Sequence, residues 1–374
     1  MRRSVGFDEI LPRVAEIVAD VRDRGDAALL DWAERFDGGR PDPLRVAVGP
    51  QELEADVERA LRSLIETVTT VHSAERPHDI VVEPVPGVRV ERRWLPLDSV
   101  GIYVPAGRFP LPSSLVMAAA PARAAGVGRI CVVTPHPVPA TIAVADLLGI
   151  DELYAVGGAQ AIAALAYGTE SIAPVDKIVG PGGPWVTAAK LLVSTHVGID
   201  LPAGPSEVLV IADESADPAL CLADLRAQAE HGPDSVAVLV TTSRALADAV
   251  GWDAVEVVAT LDDAVDYAND FAPEHLELHV ADPAAVAAKV RNAGAVFLGG
   301  ETSAVIGDYY AGSNHVLPTG GLARSVGGLG LESFLKPVEF VRVTREAARA
   351  AAEVAGPLAR IEGLTAHGEA LAAR

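Results

Sequence analysis

From residue 98 onward, short runs rich in valine alternate with stretches that have the period of an α-helix. Strands are predicted at residues 100–104, 129–134, 152–156 and 176–180, with helices between them. A second series, from Val208 to residue 298, repeats the alternation. Strands that alternate with helices predict parallel sheets joined by right-handed crossovers. The pattern therefore places the chain in the α/β class.

Other parts of the chain have different patterns. Residues 7–35 and about 50–73 show the apolar spacing of helices, and the chain after residue 343 is also predicted to be helical. Residues 80–97 alternate and turn at Pro86-Gly87, which predicts a hairpin. The segment 299–330 is rich in glycine and has no period. An aperiodic segment of this length inside a compact protein is usually either functional or disordered.

The charge of the chain narrows its range of partners. The formal net charge is −21 at pH 7, and an acidic surface repels phosphate backbones and anionic lipids. We therefore expect neither a nucleic-acid nor a membrane partner. Neither a signal peptide nor an apolar span is visible, and Cys131 and Cys221 lie in apolar or helical surroundings as reduced thiols. The expected location is the cytoplasm.

Two glycine-rich turns follow predicted strands, and each opens a helix. They are Gly157-Gly158-Ala159-Gln160 and Gly180-Pro181-Gly182-Gly183. Backbone N–H groups at such points can receive a phosphate, which a dinucleotide on so acidic a protein would need. The same turns suit any strand-to-helix connection, and the G-x-G-x-x-G fingerprint is absent. The turns therefore permit a dinucleotide without requiring one.

Gln228 and His231 are three positions apart on a predicted helix, so their side chains are expected to project from one face. A carbonyl oxygen and an imidazole nitrogen can both bind a divalent metal, and zinc accepts such mixed donors. The alternative interpretation is a plain helix end, with His231-Gly232-Pro233 as the stop.

Glu274 and His275 stand side by side at the start of a predicted strand. Adjacent strand residues usually point to opposite faces, but at the first position after a proline both side chains can reach one cleft. A carboxylate beside an imidazole suits general acid–base chemistry near neutral pH. A solvated strand edge is the alternative interpretation.

The aperiodic segment holds Asp308, Asn314 and His315, followed by an apolar Val-Leu-Pro. An oxygen ligand and an imidazole in a loop are hard to explain by packing, which favours a functional role. His367 stands in the terminal helix, where a solvated histidine is the alternative.

Together these motifs resemble those of the histidinol dehydrogenase family. They occur in the family's order over nearly the whole chain, at residues 101–105, 156–166, 202–209, 228–235, 273–276, 314–319 and 364–367. A set this long is far more specific than any single motif. The resemblance implies oxidation of L-histidinol to L-histidine through an aldehyde, with two NAD reduced, as the last step of histidine biosynthesis.

The resemblance also implies roles for particular residues. The zinc ligands would be Gln228, His231, Asp308 and His367. The acid–base pair would be Glu274 and His275. The substrate would be bound by the zinc ligands together with Ser206, His275 and Glu362. The NAD contacts would come from Tyr103, Gln160 and the position of Gly183.

In this family the last zinc ligand comes from the partner subunit, so an intertwined homodimer is implied. Each chain would form two Rossmann-like parallel-sheet domains and a helical C-terminal tail. Residues 1–102 and 206–330 would form the metal-binding catalytic domain with the N-terminal helices. Residues 103–205 would bind NAD, and residues 331–374 would form the dimerisation tail.

The chain departs from the family on the NAD side. Gly183 stands where an asparagine is usual, and Arg108 lies in a loop where a double glycine is usual and would either meet a phosphate or block one. Two alternatives therefore remain. One is a related zinc- and NAD-dependent dehydrogenase of another polar alcohol. The other is a zinc hydrolase or metal-binding protein without redox activity, because zinc beside a Glu–His pair can also activate water.

Overall fold

The computed structural model describes residues 7–106, 110–202 and 204–374, so Arg108 lies outside the described residues. The chain divides into two units. The first contains the residues up to Glu75 together with Leu97–Phe334, and the second contains Arg76–Pro96 and Leu335–Arg374. Within the described ranges, no helix combines the length and the apolar character that crossing a membrane requires.

The first unit is built from helices and parallel strands. Its helices are α1 (Phe7–Arg24), α2 (Asp26–Phe36), α3 (Ala55–Ala74), α4 (Pro112–Ala125), α5 (Pro139–Leu147), α6 (Gly158–Tyr167), α7 (Pro184–Val193), α8 (Pro218–Ala229), α9 (Arg244–Val250), α10 (Leu261–Phe271), α11 (Pro283–Ala287) and α12 (Ala304–Tyr309). Its strands are β3 (Ser99–Tyr103), β4 (Arg129–Val133), β5 (Glu152–Tyr154), β6 (Lys177–Val179), β7 (Gly198–Ile199), β8 (Glu207–Ala212), β9 (Val236–Thr241), β10 (Val255–Val257), β11 (His275–His279) and β12 (Ala295–Leu298).

The second unit has a different composition. It contains β1 (Ile80–Val85), β2 (Val88–Pro96), β13 (Leu335–Val343), α13 (Arg345–Ile361) and α14 (Thr365–Ala372). Its three strands form an antiparallel sheet in the order β1-β2-β13. The hairpin predicted for residues 80–97 is confirmed, and Gly87 supplies the left-handed backbone of its turn, with φ 79°.

The first parallel sheet has the strand order β5-β4-β3-β6-β7. Strand β3 is central, and it pairs with β4 on one side and β6 on the other. The chain winds outward to β5 and then returns to the opposite side of β3, so the strand order reverses between β3 and β6. Ligands of open α/β sheets bind beyond the carboxyl ends of the strands at such a switch point. Tyr103, the last residue of β3, lies at this edge.

The second parallel sheet repeats the same winding, in the order β10-β9-β8-β11-β12, and its switch point lies between β8 and β11. Both central strands are buried along their whole length. One face packs against α10 through Leu276 and Leu278, and the other packs against α8 through Val208 and Val210. Burial on both faces explains the continuous apolar run of β8. The prediction of an α/β protein with parallel sheets is confirmed.

The helix predicted over residues 7–35 is in fact two helices. Gly25 separates α1 from α2 with φ 57°, a conformation that glycine adopts without steric cost. A Cβ at this position would collide with the Glu170 carboxylate, which accepts a hydrogen bond from the Asp26 backbone N–H at 2.7 Å. The break allows α1 and α2 to pack together on α6. Local apolar periodicity continued through this bend and therefore did not predict it.

Three other expectations need correction. The tail from residue 331 is not wholly helical, because β13 pairs with β2 from Leu335↔Pro96 to Val343↔Val88. Strand β3 crosses the expected domain boundary at 102/103 and lies entirely in the first sheet. The segment 299–330 contains α12, so Asp308 lies on a helix and not in a loop. A helix of six residues is too short to display a repeating apolar period.

Candidate active site

A cavity of about 170 Å³ lies at the amino ends of β8 and β11, beside the turn that follows β6. Its lining includes five of the predicted site residues, which are Ser206, His231, Glu274, His275 and Asp308. Pro181 from the glycine-rich turn after β6 and His315 also line it. Side chains that are distant in the sequence are therefore brought together by the two sheets and by α12.

Glu274 is the buried acid of this cavity. Its Oε2 accepts hydrogen bonds from the Ser206 hydroxyl at 2.6 Å and from the Glu207 backbone N–H at 2.8 Å. Burial raises the pKa of Glu274, although His275 and the two hydrogen bonds act in the opposite direction. A raised pKa makes the carboxylate a stronger base, which suits a group that takes up and returns a proton in general acid–base catalysis.

His275 is oriented by the neighbouring strand. Its Nδ1 lies 3.0 Å from the Glu207 carbonyl oxygen, and because a carbonyl can only accept, Nδ1 carries the hydrogen. Its Nε2 is buried and makes no hydrogen bond to any residue that the structure describes. The prediction that Glu274 and His275 reach one cleft is confirmed, since both line the cavity. Nε2 of His275 is thus available as a proton acceptor.

Gln228 and His231 lie at the end of α8. Gln228 is buried in the last turn, and its amide nitrogen has no hydrogen-bond partner within the described part of the chain. His231 follows the helix end at Ala229, so the expectation that both residues lie on one helix face is wrong. The His231 backbone N–H and Nδ1 each lie 3.2 Å from the Gln228 carbonyl oxygen. This turn fixes the imidazole and leaves its Nε2 free to bind a ligand.

Asp308 and His315 come from the segment that showed no period. Burial lowers the pKa of His315, while Asp308 raises it and the imidazoles of His275 and His231 lower it further. These electrostatic effects act over short distances, so the four side chains are neighbours. Asn314 has a different role, because its amide donates to the Met117 carbonyl at 2.7 Å and fastens the segment to α4.

The donor set suits zinc. The side-chain amide oxygen of Gln228, the Nε2 of His231 and the carboxylate of Asp308 are mixed nitrogen and oxygen donors of the kind that zinc accepts. The two remaining predicted residues belong to the second unit. Glu362 follows α13, His367 lies on α14, and both are exposed.

The candidate NAD residues lie at the carboxyl edge of the first sheet. Tyr103 is buried, which raises the pKa of its hydroxyl to about 12, and the hydroxyl accepts from the Gly158 N–H at 3.4 Å. Gln160 lies beside it in the first turn of α6 and donates to Asp37 at 3.3 Å. Asp37 also accepts from the Gly157 N–H at 2.9 Å. Asp37 and Gly157 are 120 positions apart, so no local sequence pattern indicates this contact.

Gly183 immediately precedes α7, with φ −66° and ψ 178°. A Cβ built there would meet nothing within 4 Å among the described residues, so the site has room for a side chain. Trp185 packs with Phe36, at a ring-centroid distance of 6.2 Å, and lies under the Arg13 guanidinium. Trp185 is therefore held in an aromatic cluster with α1 and α2.

A buried ion pair supports the turn that carries Pro181 and Gly183. Lys190 is fully buried, and its ammonium group contacts Asp200 and donates to the Gly180 carbonyl at 3.0 Å. Asp200 in turn accepts from the Gly180 N–H at 2.7 Å. The pair thereby holds both backbone polar groups of Gly180. Nothing in the local sequence pattern indicates that the lysine of helix α7 would be buried.

Two doubly wound parallel sheets define the class of this protein. Helices opened by glycine at the edge of the first sheet, and a cavity that holds an acid–imidazole pair and potential metal donors, are together typical of α/β dehydrogenases. The family model described as histidinol dehydrogenase matches residues 1–256 and 252–374. The chain belongs to the histidinol dehydrogenase family.

Individual relatives agree with the family model. The chain is 43% identical to histidinol dehydrogenase of Thermobifida fusca over 408 residues, which covers 100% of this chain and 93% of the relative. It is 46% identical to histidinol dehydrogenase of Rhizobium meliloti, with 96% of this chain and 91% of the relative covered. The crystal structure of histidinol dehydrogenase from Elizabethkingia anophelis matches with a TM-score of 0.91 at 32% identity, and covers 100% of this chain and 93% of that one.

Proposed function

We propose that this chain oxidises L-histidinol to L-histidine through L-histidinal and reduces two NAD in the process. The observation that carries the proposal is the single cavity that gathers Ser206, Glu274, His275, His231 and Asp308. Its volume of about 170 Å³ suits a small metabolite, because sites for drug-sized ligands are larger.

His275 is the proposed base of the alcohol oxidation. Its Nδ1 is occupied by the Glu207 carbonyl, so its unpartnered Nε2 accepts the alcohol proton. NAD, when bound, accepts the hydride from the same carbon. Loss of one proton and one hydride converts the primary alcohol into the aldehyde.

Glu274 is the proposed base of the second half-reaction. Ser206 and the Glu207 N–H hold its Oε2, which fixes the carboxylate in the cavity wall. There it removes a proton from water, and the resulting hydroxide adds to the aldehyde to form a hydrate. The hydrate carries a new hydroxyl and one transferable hydride, so a second NAD is reduced and a carboxylic acid results.

The remaining predicted residues seat the substrate and the metal. We propose that Gln228, His231, Asp308 and His367 of the partner subunit hold zinc, and that Ser206 and Glu362 contact the substrate. Zinc held by these residues would supply a positive charge that helps to orient the substrate. Its proposed ligand atoms are imidazole nitrogens, an amide oxygen and a carboxylate oxygen, which zinc accepts together.

The first parallel sheet is the proposed NAD-binding half. Tyr103 and Gln160 meet at the first turn of α6, and Gly183 opens α7 at the same edge of the sheet. Helix N-termini at this edge offer the backbone N–H groups that a pyrophosphate on an acidic protein requires. The second sheet, with α8 and α12, is the proposed metal-binding and catalytic half.

A homodimer follows from the proposed ligand set and is supported by the surface of the second unit. Helix α13 exposes Val354, Leu358 and Ile361, which are 76%, 57% and 78% exposed and lie along one stripe. A contiguous apolar stripe of this kind marks an interaction surface. We propose that a second copy of the chain covers it. We also propose a cytoplasmic location, since Cys131 and Cys221 are free thiols.

The deciding experiment follows NADH formation when the zinc-loaded protein is given L-histidinol. We expect about two NADH per histidinol consumed, because alcohol-to-acid oxidation takes two hydride transfers. Turnover of another alcohol without turnover of histidinol would favour the related dehydrogenase. Failure to bind NAD at all would favour a zinc hydrolase or a metal-binding protein.

A further inference from the structure

A second cluster of potential metal ligands lies at the opposite end of the central strands. Asp224, Glu277 and His279 each offer one ligand atom, and the three atoms lie within 4.8 Å of one another. His279 is the last residue of β11, whereas His275 of the cavity is the first. The cluster therefore lies at the carboxyl edge of the second sheet, at its switch point between β8 and β11.

The strand and the helix place these three groups together. Side chains two apart on a strand share a face, so Glu277 and His279 both point from β11 toward α8. Helix α8 supplies Asp224 and, one turn earlier, Cys221, whose sulfur lies 3.6 Å from Nδ1 of His279. This contact orients the imidazole from its other nitrogen. Nε2 of His279 is thereby directed to the two carboxylates.

The distances match those between ligands of one small metal ion. Nε2 of His279 is 3.3 Å from an Asp224 oxygen and 3.6 Å from a Glu277 oxygen. Ligands at 2.0–2.2 Å from a tetrahedral zinc ion are about 3.3–3.6 Å apart. The His279 and Glu277 side chains are each 1% exposed and that of Asp224 is 14% exposed, which leaves an approach for an ion through Asp224.

Two further observations indicate a cation between these groups. Nε2 of His279 and Oε2 of Glu277 are buried, and neither has a hydrogen bond of proper geometry to the described residues. Glu277 is buried and Asp224 partly buried, and when both are ionised they carry two negative charges, which are costly to bury without compensation. A divalent cation balances both charges, whereas a protonated imidazole balances only one.

We propose that Asp224, Glu277 and His279 form a second divalent-metal site, suited to an ion of the zinc class. The site is separate from the ligands Gln228, His231 and Asp308, and its assignment does not rest on the proposed function. Its role is structural. The other oxygen of Glu277 accepts from the Ala304 N–H at 2.6 Å, so the site joins β11 to the start of α12 and to α8. Those are the helices that carry Asp308 and Gln228.

A proton is the competing occupant of the same position. Burial disfavours charge on His279, but Asp224, Cys221 and Glu277 together raise its pKa to about 11. Metal content therefore has to be measured directly. The full-length protein would be stripped with a chelator, reloaded with excess Zn²⁺, dialysed exhaustively and analysed by inductively coupled plasma mass spectrometry.

We expect two zinc ions per wild-type chain and one in His279→Asn. Glu277→Gln keeps the shape of the side chain and should also retain only one, which guards against a misfolded His279 variant. His196→Asn, a histidine stacked on Tyr167 of α6, is the matched control and should retain two. Circular dichroism would verify that each variant folds.

His231→Asn separates this proposal from the proposed function. It should lose the catalytic zinc and retain one ion, and its Co²⁺-loaded form should still show the visible absorption of a bound ion. One zinc in the wild type with an unchanged content in His279→Asn and Glu277→Gln would overturn the second site. Two zinc ions in His231→Asn, with one in His279→Asn, would overturn the assigned catalytic ligand and support the second site.

Discussion

Replacing Glu274 by glutamine isolates the chemistry of the buried acid from its packing. Oε2 of Glu274 accepts from Ser206 at 2.6 Å and from the Glu207 N–H at 2.8 Å. The carboxamide oxygen of Gln can take the place of Oε2 and keep both hydrogen bonds. Hydrogen bonds to a neutral acceptor are weaker than those to a charged one, but the variant no longer has a charge to bury. We expect the free energy of unfolding to change by no more than about 1 kcal/mol.

The catalytic effect should be far larger than the effect on stability. A carboxamide cannot accept a proton, and general acid–base catalysis contributes about 10²–10⁴ in rate. The transition state of the second half-reaction should therefore lose about 2.7–5.4 kcal/mol of stabilisation, at 1.36 kcal/mol for each factor of ten. Histidinol would still be oxidised once, so the product should shift from histidine toward histidinal.

The pH dependence provides an independent check. Burial raises the pKa of Glu274, and the group acts as a base only when ionised. In the wild type, kcat/KM should therefore fall as the pH drops through this raised pKa. Glu207→Gln is the matched control. The negative charge of Glu207 raises the pKa of Glu274. Removing this charge should therefore shift the fall in kcat/KM on the acidic side of the profile, its acid limb, to lower pH, while the plateau value of kcat stays near that of the wild type.

The assay would use wild-type, Glu274→Gln and Glu207→Gln proteins with equal zinc content, and would compare kcat for histidinol and for histidinal. If Glu274→Gln retained activity within tenfold of the wild type on histidinal, the role of Glu274 in water activation would be refuted. An unchanged acid limb in Glu207→Gln would show that another group controls the profile.

Three further predictions test the NAD edge, the buried ion pair and the dimer. Gly183→Asn should lower KM for NAD by about 2–10-fold, the value of one hydrogen bond of about 0.5–1.5 kcal/mol, and an unchanged KM would mean that no such bond forms. Lys190→Met leaves Asp200 buried without its partner and should lower the free energy of unfolding in urea by about 3–5 kcal/mol, with part regained in Lys190→Met/Asp200→Asn. His367→Ala should lose zinc. Mixing this variant with Glu274→Gln subunits should restore about a quarter of wild-type activity, because half of the dimers are heterodimers and one of the two sites in each heterodimer is intact. Two inactive parents that remain inactive after subunit exchange would show that His367 acts within its own chain.

Much of the site could be predicted from the sequence because its residues occur in motifs with a fixed order. Glu274 and His275 are adjacent in the sequence. Because they follow a proline at the start of the strand, their side chains need not point to opposite faces, and a shared cleft could be inferred from the local sequence. The α/β class followed equally directly, since strand β8 is buried on both faces and therefore reads as a continuous apolar run between helical segments.

Other features had no local signal. Strand β13 forms because the edge of β2 accepts it, and β2 lies far away in the chain. Gly25 separates α1 from α2 although the apolar period continues across it. A glycine stands there because Glu170 occupies the space where a Cβ would lie. Asp37 bonds to Gly157 and Lys190 bonds to Gly180 only because α6 and α7 pack against their neighbours, which brings these residues to the glycine-rich turns.

The sequence by itself determined the class of fold, the order of the elements and the residue types available for acid–base and metal chemistry, because these depend on periodicity and on the donor atoms of side chains. Only the tertiary structure decided which of those residues meet. His279 illustrates the difference, since no local pattern distinguishes it from other strand residues, whereas packing against α8 placed it beside the carboxylates of Asp224 and Glu277. Proximity depends on strand order and helix packing, which join positions that no local pattern connects.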